Sequence, residues 1–201
     1  MTKRVVRTGT LLLLALAPVA CAKKVTRIDP NSVTDLSGRW NDTDSRLVAN
    51  QLITETLNAQ WARRYSETHG GESPVVIVGD FRNETLEHIP VSTFVNDLER
   101  ALISTGAVKV VASKQERADV RDERKDQQVN ASADTRAKMA QELGAKYMLQ
   151  GTLQAIEDSE GREKIVFYQV DAVLVDLESN VKVWTGQHKI KKLIDRPRVR
   201  M

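Results

Sequence analysis

The sequence predicts an α+β domain: a mixed central sheet of about five strands packed with helices, its last three strands forming an antiparallel meander. Three observations lead there. Two short apolar runs, residues 75–78 and 108–111, alternate with helix-periodic segments, as in β–α units. Three further runs rich in Val, Ile, Tyr, Phe and Trp (147–156, 165–177 and 181–190) follow one another with no helical segment between them. The breaks between these runs, Asp158-Ser159-Glu160-Gly161 and Glu178-Ser179-Asn180, have the composition of hairpin turns.

Taken in order, the chain opens with the three parts of a secretory signal. Lys3, Arg4 and Arg7 precede an apolar region centred on residues 11–16, and small residues then surround Cys21. The apolar stretch, residues 8–20, is shorter than the roughly 20 residues that a bilayer-spanning helix needs. A cleaved signal is therefore expected over residues 1–20. Cys21 is the only cysteine, which leaves no internal disulfide. Two fates for it stay open: lipid attachment at a lipobox, Pro18-Val19-Ala20-Cys21, or ordinary cleavage after Ala22 at an A-x-A site. Residues 22–34 are a short polar linker.

The first domain helix is expected to start at Asn41, Asp42 or Thr43, all capable N-caps, and to end near Tyr65. Val48, Leu52, Ile53, Leu57 and Trp61 recur at its three- to four-residue spacing. Arg39-Trp40-Asn41-Asp42 reads either as a partner-binding corner or as a docked Trp followed by a helix cap. Cap chemistry accounts for the polar residues and favours the second reading. Residues 75–78 suit a strand buried on both faces, ending at Gly79-Asp80.

A helix over residues 91–104 would turn Phe94, Val95, Leu98, Ala101 and Leu102 inward and stop before Gly106. Ser113 and Glu116 make a capping box for a charged helix over 114–128, read as a solvated face. Ser132 can cap a fourth helix ending at Leu143-Gly144. In the run 165–177, Val166, Tyr168, Val170, Ala172 and Leu174 share one strand face. Residues 193–201 are a basic tail.

Composition excludes several function classes. The chain of 201 residues has 30 Lys and Arg against 27 Asp and Glu. Without Lys3, Arg4 and Arg7 the basic count falls by three to 27, so the exported chain is formally neutral. That removes the electrostatic basis for nucleic-acid binding. P-loop, dinucleotide, nucleophile-elbow and paired-His motifs are absent. The three histidines, His69, His88 and His188, fall in separate segments, and Asp171 and Asp176 lie on opposite faces of one strand. No metal, cofactor or enzymatic activity is expected.

Four strings then carry a resemblance: DLSGRWNDTDSRLVA (35–49), PVVIVGDFRNETLEHI (74–89), AQELGAKYMLQGTL (140–153) and YQVDAVLVDLESNVKVWTGQHKIKK (168–192). Together and in this order they resemble the LpoB family, the lipoprotein activators of peptidoglycan synthases, over about Asp35 to Lys192. The resemblance implies a lipoprotein with signal peptide 1–20, lipid on Cys21, linker 21–34, an LpoB-like domain 35–192 and the tail beyond. It implies an outer-membrane anchor with the domain facing the periplasm, Ala22 lacking the Asp that retains lipoproteins in the inner membrane. It implies non-enzymatic binding and activation of a bifunctional class A penicillin-binding protein, without indicating which residues bind.

Two features depart from the family pattern. Pro18 stands where a lipobox usually has Leu, and the long Pro-rich tether is replaced by about a dozen residues, at most ~45 Å of chain. Two other readings remain: a subunit of an outer-membrane secretion assembly, through likeness to the curli-secretion lipoprotein, and a cell-wall-binding module.

Overall fold

The structure, a computed structural model, describes residues 25–130 and 142–195. The described residues up to Ser32 and those from Val33 onward belong to separate units. In the first, a turn is closed by the Ser32 N–H donating to the Asp29 carbonyl at 3.0 Å.

The second unit holds every helix and strand described. In order they are α1 (Asp42–Asn58), α2 (Trp61–Thr68), β1 (Val75–Asn83), α3 (Ser92–Thr105), β2 (Lys109–Val111), α4 (Lys114–Asn130), β3 (Tyr147–Glu160), β4 (Glu163–Asp176) and β5 (Lys182–Asp195). The strands form one mixed sheet in the order β2-β1-β3-β4-β5. β1 runs parallel to both β2 and β3, whereas β3, β4 and β5 are the expected antiparallel meander.

The core lies on one face of this sheet. The alternation in β4 holds: Val166, Tyr168, Val170, Ala172 and Leu174 are all at most 1% exposed. Val48 and Leu52 of α1 and Phe94, Leu98 and Leu102 of α3 pack on that face. Each fully buried aliphatic side chain contributes about 2 kcal/mol of transfer free energy. The opposite face of the meander exposes Gln150, Gln154, Ile156, Lys189, Lys191 and Leu193.

The structure corrects several element boundaries. The first helix does not reach Tyr65; it stops at Asn58 and a new helix begins at Trp61. Ala59 turns extended (φ −69°, ψ 145°), and the Trp61 Nε1–H donates to the Thr56 carbonyl at 3.0 Å, satisfying an acceptor left over at the end of α1. Trp61 then packs edge-on to Tyr147, ring centroids 5.5 Å apart.

β1 continues five residues past Val78. Its pairing with β3 shifts register between Val78 and Phe81, so Gly79 and Asp80 are absorbed as an irregularity and Phe81 returns to the core. There it meets Phe94 edge-on, centroids 5.3 Å apart. β5 extends to Asp195, three residues beyond the expected domain end at Lys192.

The Ser113–Glu116 capping box is present, with the Ser113 N–H donating to Glu116 Oε2 at 2.7 Å and α4 burying no residue. The helix expected after Ser132 lies mostly outside the described residues, as do residues 196–201 and the signal region with Cys21.

Candidate functional site

The Arg39–Asp42 corner is built first by helix-capping chemistry. Asn41 is the N-cap of α1: its side chain accepts from the Asp44 N–H at 3.1 Å, and Asp44 Oδ2 accepts from the Asn41 N–H at 2.9 Å. Trp40 is docked. Its Nε1–H donates to Ser45 Oγ at 2.8 Å, and its ring meets Tyr168 edge-on at 5.4 Å.

The same corner gathers residues from distant parts of the chain. Glu87, in the loop after β1, uses both carboxylate oxygens. Oε2 accepts from the Trp40 N–H at 3.2 Å, and Oε1 accepts from the Tyr168 hydroxyl at 2.5 Å. That loop is fixed by Asn83, whose amide donates to the Glu87 carbonyl at 2.7 Å and whose Oδ1 accepts from Thr85. Burial, and then the Glu87 carboxylate, push the Tyr168 hydroxyl well above the ordinary tyrosine range. Tyr168 is thus a fixed neutral donor.

Lys192 ties the last strand to the first helix. Its ammonium reaches Asp44 Oδ2 at 2.6 Å, Asp35 Oδ1 at 2.8 Å and the Arg39 carbonyl at 3.1 Å. Burial pulls its pKa down, but the hydrogen bonds it donates to Asp35 and Asp44 outweigh this and hold it above the usual value. The Lys192 and Asn41 hydrogen bonds hold the Asp35 carboxyl below the usual range. Gly38 (φ 66°) crosses directly over Ile194; a Cβ there would lie 2.4 Å from Ile194 Cγ1.

Between the Ser37–Trp40 segment, the loop after β1 and the β3–β4 hairpin lies a groove of ≈ 700 Å³. Trp40, Ile89, Val166 and Ile194 give it apolar walls, with Arg39, Leu86 and His88 also lining it. Its carboxylates are already engaged: Glu87 as above, and Glu157 by Lys164 Nζ at 2.8 Å.

The arrangement positions and seals. Among the described residues no three His, Cys, Asp or Glu side chains are placed to hold a metal ion. His69 stacks on Tyr65 with centroids 3.9 Å apart, His88 lines the groove, and His188 is half-buried on β5. Cys21, the expected lipid-attachment residue, lies outside the described residues. The contributions of Glu87, Tyr168 and Lys192 to the corner were not singled out from the sequence. The usable signal was parity, since a Lys and a Tyr on an otherwise apolar strand stripe each require a buried partner.

The fold and this corner define a small mixed-sheet domain with a structurally sealed core face and an open sheet face. The chain belongs to the LpoB family: the family model described as "Peptidoglycan-synthase activator LpoB" matches residues 44–190. Solved structures similar to it include the solution structure of Escherichia coli LpoB, at 15% identity, covering 97% of this chain and 94% of that one, TM-score 0.40. A second is lipoprotein GNA1162 from Neisseria meningitidis, at 18% identity, covering 63% of this chain and 88% of that one, TM-score 0.39. A third is the LpoB C-terminal domain from Salmonella enterica, at 17% identity, covering 65% and 93% respectively, TM-score 0.34. A search of curated proteins returned no match.

Proposed function

We propose that this chain is a lipid-anchored, non-enzymatic activator that binds a class A penicillin-binding protein and raises its peptidoglycan-synthesising activity. The observation that carries the reading is the family match over residues 44–190. Cys21 is the lipid-attachment residue, holding the protein at the outer membrane with residues 35–195 in the periplasm. A single acyl chain binds a bilayer only marginally, so stable attachment requires more than one.

Activation by binding needs differential affinity. The chain shifts the synthase towards its active conformation only by binding that conformation more tightly than the resting one. A tenfold gain in the active population requires about a 1.4 kcal/mol difference.

The test is reconstitution. The full lipidated chain is added to a purified class A penicillin-binding protein from the same genome, and glycan-strand synthesis from lipid-linked precursor is followed. A several-fold rate increase that saturates with the chain is expected. Unchanged rates with every class A synthase of that genome rule the activator reading out. Intact-mass analysis checks the anchor: a chain starting at unmodified Lys23 contradicts lipidation at Cys21.

A further inference from the structure

β5 is an edge strand. It is hydrogen-bonded to β4 along its length of 14 residues, and among the described residues no strand pairs with its other side. Its outer N–H and C=O groups therefore form a template for one more strand. Opposite the core, the cross-strand register places Gln187, Lys189, Lys191 and Leu193 beside Asp171, Gln169, Phe167 and Ile165 of β4. Ile156 of β3 stands beside Phe167.

This edge has a definite chemistry. Lys182, Lys189 and Lys191 are exposed, and none of their ammonium groups makes a hydrogen bond or ion pair within the described residues. The carboxylate facing them, Asp171, is taken by the Gln169 and Gln187 amides at 2.7 and 2.6 Å. Beyond the lysines lie the apolar side chains of Leu193 and Ile156, 66% and 67% exposed, and past them the exposed carboxylates of Asp195 and Glu163 close the strand end. A second copy of this strand would bring lysines against lysines, the arrangement by which edge strands avoid self-pairing. An acidic strand would meet complementary charge.

We propose that β5 is the docking edge for the synthase. An extended acidic segment of the synthase adds as a sixth strand, placing carboxylates beside Lys189 and Lys191 and an apolar side chain beside Leu193. This assignment rests on the activator reading above and names the surface that serves it. Main-chain hydrogen bonds along the edge supply affinity, and the lysines select the partner.

The experiment compares three forms of the full lipidated chain in detergent micelles: wild type, Lys189→Glu/Lys191→Glu, and Arg39→Glu/Leu86→Asp in the groove. Each is titrated against the purified class A penicillin-binding protein, with amide hydrogen exchange read over residues 182–195. The strand variant is expected to bind on the order of tenfold more weakly at an unchanged melting temperature, because two cross-strand pairs turn repulsive. The groove variant should bind like wild type, and the synthase should slow exchange in β5. Equal binding by the strand variant, unchanged exchange in β5, or a loss confined to the groove variant overturns the proposal and leaves the activator reading standing. Protection of β5 that grows with the chain's own concentration, without synthase, identifies a second copy as the occupant and also overturns it. If the wild-type chain binds no class A synthase, the activator reading itself fails.

Discussion

Lys192 Nζ lies 2.6 Å from Asp44 Oδ2, and the two side chains are only 11% and 3% exposed. This pair closes the domain, joining the first turn of α1 to the final strand 148 residues later. Breaking a buried pair leaves an uncompensated charge, which costs far more than the net value of the pair. Lys192→Met should therefore lower unfolding free energy by about 3–5 kcal/mol. Urea denaturation at neutral pH measures it. A loss under 1 kcal/mol would mean that water reaches Asp44 in place of the ammonium.

The same pair shows what the sequence could and could not tell. Alternation in β4 identified five buried residues, because a strand's period of two converts directly into a face. Lys192 shares the inward face of β5 with Ile190 and Ile194, so its position demanded a counter-charge. Locating that charge on Asp44 was beyond local pattern, since nothing in either segment specifies a partner so distant. The break at Asn58 was hidden for a related reason: Trp61 keeps helical spacing although the backbone turns extended at Ala59 before it. Gly79-Asp80 reads as a turn, and only the paired β3 strand shows that β1 absorbs it and continues.

Tyr168 is fully buried and its hydroxyl donates to Glu87 Oε1. Tyr168→Phe keeps the packing against Trp40 but leaves that carboxylate oxygen without a donor. The expected cost is about 1.5–3 kcal/mol, the range for hydrogen bonds to charged groups. Adding Glu87→Gln should cost much less than its effect in the wild type, because the two residues act as a unit. Strict additivity in that double-mutant cycle would contradict the coupling.

Acid should unfold the domain through named carboxylates. The Ser179 and Glu178 N–H groups, with the Lys146 ammonium, hold Asp176 below the ordinary range, and Lys192 with Asn41 does so for Asp35. A folded pKa below the unfolded value gives stability that is present above the unfolded pKa and lost as pH falls through the folded one. Stability should thus decline below about pH 4. Burial also depresses His188, adding an earlier loss that begins below its unfolded value of 6.5. Asp176→Asn should be less stable at neutral pH and shallower in its acid decline. An identical acid slope in wild type and variant would remove Asp176 from the account.

Gly151 sits where no side chain fits. A Cβ there would lie 2.4 Å from the Asp171 carbonyl oxygen and 2.4 Å from Phe81 Cε1. The carbonyl belongs to the paired strand β4 and cannot rotate away as a side chain can. Gly151→Ala should cost about 1–3 kcal/mol, as overpacking does. Adding Phe81→Leu should fail to restore stability, since it relieves one contact and leaves the backbone clash. Full recovery in the double variant would show that the aromatic ring alone sets the limit.

Linker length sets how far the domain reaches. Asp35 is held by Lys192 at 2.8 Å and by the Asn41 amide at 2.6 Å, so free linker ends where the domain begins. Residues 22–34 span at most ~45 Å when fully extended. As a flexible coil the same segment averages nearer ~20 Å. If Cys21 carries the lipid, the domain works close to the outer membrane, and the synthase must supply most of the distance. Inserting a flexible 30-residue segment after Lys24 should then leave activation in cells unchanged or lower it, because a longer tether dilutes the local concentration. A marked rise in activation would show that the short tether limits encounter and that reach does not come from the partner. Release of the chain by Cys21→Ser separates the two effects: activity that survives without the anchor depends on neither tether nor membrane.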